Sequence, residues 1–234
     1  MDIIAHDDTQ LVTFDCYGTL IDWDTALRGY FEPLLAEKGV DIPVREFYDI
    51  WYHAHALPAL GGPFVPYRTL LQTSLQSALT AAGAPAEPGD GADLGDAMAE
   101  AEPFPEASEV LARLKERYRL GTISNSQHDI ISAATQRLGN PFDFVFTGED
   151  TRTYKPHPAL FELVLNQAGV LPTQVVHVAQ SQYVDLPRSI PMGIPTIWVN
   201  RNHQQLRAEV PAPTAVIDDL TPLPELLGVA AART

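Results

Sequence analysis

Short apolar, β-favouring runs at Leu11–Phe14, 120–124, Phe144–Thr147, 175–178 and Thr196–Val199 punctuate the chain, with a weaker one at Ala215–Ile217. Helix-like stretches at 107–118, 128–138, 159–168 and 186–192 lie between them. Strands alternating with helices of about 10–15 residues demand right-handed crossovers and a parallel sheet. The rhythm breaks after the first run: helical patterns at 26–38, 44–55, 67–82 and 94–102 follow one another with no strand between them. The expected fold is α/β, a Rossmann-like parallel sheet core (1–21 and 103–234) with an inserted all-helical cap domain (22–102). Ligands of doubly wound sheets bind beyond the carboxyl ends of the strands. An insertion leaving from that end covers such a site.

Composition supports a large buried core, with 45% hydrophobic and 19% charged residues in 234. Thirty acidic against fifteen basic side chains give a net charge of −15. That balance disfavours duplex nucleic acid and anionic membranes, because each phosphate contact needs a Lys or Arg. No apolar run approaches the ~20 residues of a membrane span. Residues 1–10 hold three Asp and no apolar stretch, so no signal peptide is expected. The single cysteine, Cys16, has no internal disulfide partner, which points to a reducing, cytoplasmic setting. A small-molecule substrate is the expected partner, and the outward cap helices leave a homodimer open.

The expected strand ends supply Asp15 and Thr19, then Ser124 and Asn125, then Lys155, then Asp185. A carboxylate, hydroxyls, a lysine and a second carboxylate gathered in one crevice constitute a nucleophile site. Cys16 adjoins Asp15, but strand alternation turns its side chain away as a buried filler. His53 and His55 diverge on a helix and make no metal pair. Trp23 and Trp51 are expected to pack the cap, and Tyr17 to line the pocket.

In order along the chain, Phe14-Asp15-Cys16-Tyr17-Gly18-Thr19-Leu20, Ile123-Ser124-Asn125-Ser126, Tyr154-Lys155-Pro156-His157-Pro158 and the segment 178–185 resemble the four motifs of the haloacid dehalogenase superfamily. Thr196–Val199 with Asn200 and Arg201 is similar to the closing strand of its (S)-2-haloacid dehalogenase (type II) branch. The resemblance implies a hydrolase in which Asp15 is the nucleophile and forms an aspartyl ester. Thr19 and Ser124 would then hold the nucleophile and the substrate carboxylate, Lys155 would keep Asp15 ionised, and Asp185 would position the hydrolytic water. Cys16 through its backbone, Tyr17, Asn125, Gln180 and Gln182 would contact substrate.

The departures from the motifs bear on the substrate. Phosphatases of the superfamily carry a general acid two residues after the nucleophile, where this chain has Tyr17. Their fourth motif often begins Gly-Asp, where this chain has Ala179-Gln180. A halide leaves without a proton, so the expected reaction is dehalogenation of a small 2-halo carboxylic acid with no cofactor and no metal. The branch's halide-binding Arg is also missing, its segment reading Trp51-Tyr52-His53; Phe161 and Ser181-Gln182 are further changes. Two alternatives therefore stand: a phosphatase of small phosphorylated metabolites with Mg²⁺ on Asp15 and Asp185, and a weakly catalytic ligand-binding member.

Overall fold

The computed structural model describes residues 8–229; the outer ends of the expected core and most of the N-terminal stretch read for a signal lie outside the described residues. Six strands form one parallel sheet in the order β3-β2-β1-β4-β5-β6. They are β1 (Leu11–Phe14), β2 (Arg119–Ser124), β3 (Phe144–Thr147), β4 (Val175–Ala179), β5 (Thr196–Val199) and β6 (Ala215–Ile217). β1, β4 and β5 are buried at every position, as continuous apolar runs require when both faces of a sheet are covered. The strand order reverses between β1 and β4, and Phe14 pairs there with Val178.

Between β1 and residue 102 lie the helices α1 (Trp23–Lys38), α2 (Val44–Ile50), α3 (Leu57–Ala59), α4 (Tyr67–Ala81) and α5 (Leu94–Ala99). Their shared interior centres on Phe31, Phe47 and Trp51, whose rings meet edge to face at 5.3–5.4 Å. Each such buried ring stabilises the cap by about 1.5–3 kcal/mol. Trp51 Nε1 donates to Ser74 Oγ at 3.0 Å, so its one polar atom is satisfied inside. The helix expected across 44–55 is not regular. From Trp51–Ala56 it widens into π turns, with Leu57 N bonding Tyr52 O. Pro58 then has no N–H to close an ordinary α turn onto Ala54.

The chain leaves and re-enters the core at adjoining points. Asp22 N donates to Glu102 O at 2.8 Å and Phe104 N to Leu20 O at 2.9 Å, with Ile21 and Pro103 bridged antiparallel. The remaining helices, α6 (Ala107–Lys115), α7 (His128–Arg137), α8 (Gly148–Thr151), α9 (Ala159–Ala168), α10 (Leu186–Ser189) and α11 (Leu223–Leu226), connect or flank the strands. α10 is shorter than the expected 186–192. No helix among the described residues is long and apolar enough to cross a membrane.

Candidate active site

Asp15 sits one residue beyond β1, and its N–H donates to Val178 O at 3.0 Å, prolonging the ladder into the site. The chain then curls tightly. Leu20 N and Ile21 N both donate to Cys16 O, at 2.8 and 3.0 Å, and Gly18 takes φ +87°, a conformation that favours glycine. The curl returns Thr19 to the carboxylate. Thr19 Oγ1 donates to Asp15 Oδ2 at 3.0 Å and accepts from Gln180 N at 2.9 Å, which spends both of its hydrogen-bonding roles.

Lys155 is completely buried, yet its three N–H groups all find acceptors: Asp15 Oδ1 at 2.8 Å, Asp185 Oδ1 at 2.7 Å and Ile123 O at 2.9 Å. Asn125 clamps the backbone behind it, accepting from Lys155 N at 2.7 Å and donating to Lys155 O at 2.9 Å. Tyr154 O–H ties the same loop to the cap at Val65 O, 2.7 Å away. Asp185 also accepts from His177 Nε2 at 3.1 Å. Ser124, at the end of β2, accepts from Ser126 Oγ at 3.1 Å.

Burial decides the electrostatics of this cluster. Desolvation pushes Asp15 up from the ordinary carboxylate range, against the pull of Lys155, and the Asp185 charge adds to the rise. Burial acts on Asp185 in the same direction but is outweighed by Lys155 and the His177 hydrogen bond, leaving it low. Lys155 is raised because its two carboxylates overcome the desolvation that would lower it. Ionised, the three groups place one excess negative charge in the interior.

The five residues expected at the catalytic centre, Asp15, Thr19, Ser124, Lys155 and Asp185, all lie at or beyond the carboxyl ends of strands. The expected substrate contacts divide. Gln180 lines a cavity of about 270 Å³ between cap and core. Cys16 is wholly buried, and desolvation pushes its thiol well up. Tyr17 is buried with its hydroxyl donating to Ile130 O at 3.3 Å, and Asn125 is spent on the Lys155 loop. Gln182 anchors the chain around residue 205, bonding Gln204, Gln205 and Arg207.

The rings beside the cavity are instead Trp23, Tyr48, Tyr52, His53, Phe104 and Tyr183. Gly18 and Gln180 share its wall, which places it next to the Asp15–Thr19 pair. Asp15 keeps 10% of its side-chain surface exposed, so the carboxylate is reachable although nearly enclosed. Trp23 thus packs the cap, as expected, and faces the cavity as well. Sequence reasoning also passed over His177. Its signal was a titratable ring in the middle of an apolar strand.

The donor set suits an ammonium better than Mg²⁺. Both Asp15 and Asp185 already point an oxygen at Lys155 Nζ, and position 180 supplies an amide rather than the anionic oxygen Mg²⁺ prefers. Among the described residues, no group of three His, Cys, Asp or Glu side chains is arranged to hold a metal ion.

Known proteins share this architecture. The haloacetate dehalogenase H-2 of Moraxella sp. (strain B) is 25% identical over 199 residues, spanning 82% of this chain and 86% of that protein. Pyrimidine 5'-nucleotidase YjjG of Escherichia coli (strain K12) is 29% identical over 136 residues, 56% of this chain and 60% of its own. The solved L-2-haloacid dehalogenase of Xanthobacter autotrophicus with chloropropionic acid covalently bound superposes with a TM-score of 0.80 at 23% identity, covering 95% of this chain and 100% of that one. A sequence model of the haloacid dehalogenase-like hydrolases matches residues 9–187, the stretch that carries Asp15, Lys155 and Asp185 together. On that match the chain belongs to the haloacid dehalogenase-like hydrolases.

Proposed function

We propose that the protein hydrolyses the carbon–halide bond of a small 2-halo carboxylic acid through an ester on Asp15. An oxygen of Asp15 attacks the halogen-bearing carbon, the new C–O bond forms as the halide departs with the bonding pair, and water then cleaves the ester. Lys155 holds the nucleophile ionised and oriented, so attack starts from a fixed geometry. Thr19 and Ser124 steady the carboxylates of enzyme and substrate, and Asp185 serves the water. Residues 22–102 act as a cap domain, whose rings at Trp23 and Tyr52, with Tyr183 of the core, shield the carbon centre from bulk water. A cytoplasmic setting accords with the lone buried Cys16.

The observation that carries this reading is the direction of Tyr17. Its hydroxyl is committed to Ile130 O, so no proton donor follows the nucleophile at the position where ester-cleaving relatives need one. A leaving group that requires no proton is the one this site accommodates, and general acid catalysis is otherwise worth ~10²–10⁴-fold. The test is halide release from 2-chloropropionate or 2-bromopropionate, with a single turnover in ¹⁸O-water. Label in Asp15, and no release by Asp15→Asn, are expected. Failure to release halide from any of a panel of 2-haloacids overturns the assignment.

The likeness to a pyrimidine 5'-nucleotidase favours a second reading, hydrolysis of a phosphate ester. Hydrolysis of p-nitrophenyl phosphate that needs added Mg²⁺ and stops with chelator would establish it in place of the first.

A further inference from the structure

His177 has no task in the reaction as described, although it touches one of the groups that do. It stands within β4, fully buried, paired in register with Thr13 of β1. Its Nε2 lies 3.1 Å from Asp185 Oδ1 and its Nδ1 lies 3.0 Å from Thr13 Oγ1. An ionised carboxylate only accepts, so Nε2 carries a proton, while Nδ1 stays within hydrogen-bonding reach of the Thr13 hydroxyl. The Phe161 ring meets the imidazole edge to face at 5.0 Å and fixes its plane.

This arrangement loads Asp185 unevenly. Oδ1 receives both Lys155 Nζ and His177 Nε2, whereas Oδ2 is buried and accepts from no described residue. A buried polar atom without a partner calls for a reason, because leaving one unmade costs about 1–3 kcal/mol. Were His177 absent, the carboxylate would be held by Lys155 alone and free to swing about that single contact.

We propose that His177 is a positioning residue for ester hydrolysis, fixing the rotamer of Asp185 so that Oδ2 stays open as the acceptor for the attacking water. The claim rests on the ester reading of the site. In that step the water oxygen bonds to Cγ of Asp15 while one of its protons passes to Asp185 Oδ2. The bond from Cγ to the product oxygen breaks, and that oxygen leaves as a hydroxyl carrying the water's other proton. Asp15 is returned as a carboxylate, and Asp185 releases its proton to solvent. Ester formation needs neither the water nor a proton on Asp185 Oδ2, so the two halves of the reaction separate His177 from a merely structural side chain.

The test compares His177→Phe, which keeps the ring and removes the donor, with His177→Gln, whose amide restores an N–H. Rapid-quench reactions with 2-bromopropionate measure halide release for ester formation and hydroxy-acid release for breakdown; intact mass measures the ester. In His177→Phe the halide burst is expected to persist while breakdown slows about 10²-fold and ester-bearing protein accumulates. His177→Gln is expected to recover most of that loss. Equal slowing of both phases, or unchanged breakdown in folded His177→Phe, overturns the proposal. Should His177→Phe fail to fold, Thr13→Val removes the Nδ1 partner and is expected to slow breakdown alone; unchanged breakdown then overturns it. Should the wild-type protein form no ester at all, the proposed function falls and the hydrolytic role with it, and the ¹⁵N spectrum of the imidazole decides separately whether Nε2–H holds Asp185. The Nε2–H tautomer, altered in Asp185→Asn, supports it, and the Nδ1–H tautomer refutes it.

Discussion

Lys155 shows how far one side chain sets the properties of its neighbours. Removing a single member of a buried ionic group leaves uncompensated charge and costs about 3–5 kcal/mol. Lys155→Met is therefore expected to lower stability by that amount in chemical denaturation and to reduce halide release by about 10²-fold or more. The pH dependence follows from the same cluster. Lys155 lies higher in the folded protein than in the unfolded chain, so its stabilisation is complete below the unfolded lysine value and is lost as pH rises through the folded one. Asp185 lies lower when folded, so its stabilisation is complete above the unfolded carboxylate value and disappears as pH falls through the folded one. Above the folded value of Asp15 and below the unfolded lysine value, stability is expected to show a plateau in a pH series of thermal melts. Asp15 behaves oppositely, being raised by burial, so the acid limb of the turnover profile is expected above the ordinary carboxylate range. Tyr17→Phe removes one hydrogen bond to Ile130 O, which costs about 1 kcal/mol of stability, and is expected to leave halide release intact. A collapse of turnover in that variant would make Tyr17 a proton donor after all.

Among the elements, the loops beyond the strands matter more than the strands themselves. α8 begins at Gly148, where an added Cβ would overlap the ring of Tyr154, the residue before Lys155. Gly148→Ala is expected to cost about 1–3 kcal/mol and also to reduce turnover, because the displaced ring belongs to the loop that delivers the ammonium. Unaltered kinetics in that variant would disconnect the two. The strands were legible because burial on both faces makes each a short apolar run, and Asp15 and Lys155 were legible as polar residues where such runs end or in the loops beyond them. The π turns at Trp51–Ala56 were not, since widening depends on a missing N–H at Pro58 and on the packing of Trp51 against Ser74. Nor was the placement of Gln182 and Tyr17. Both were read as facing substrate, and only the tertiary structure reveals the Gln205 and Ile130 carbonyls that take their hydrogen bonds. His177 escaped for a related reason. Its partners are 164 and 8 positions away, a separation that periodicity does not register.

Across the whole molecule, cap and core touch through few polar links. Arg68 of α4 reaches Asp129 of α7 at 2.7 Å, and its backbone N–H donates to Gln127 at 2.7 Å. Exposed pairs of this kind contribute about 0–1 kcal/mol each, so most of the hold between cap and core comes from the apolar cluster they share, which includes Phe14 and Ile130 as well as Phe31 and Trp51. The two backbone crossings at Asp22 and Phe104 sit side by side, each holding the other through one N–H···O bond. Between them the chain is also tied to the core at Val65, Arg68 and Ala99. A lid whose two ends adjoin can grow or shrink between them without shifting any strand by one residue. Preference for a substrate is nonetheless written on both sides of the junction, in Trp23 and Tyr52 from the lid and in Gly18, Gln180 and Tyr183 from the core.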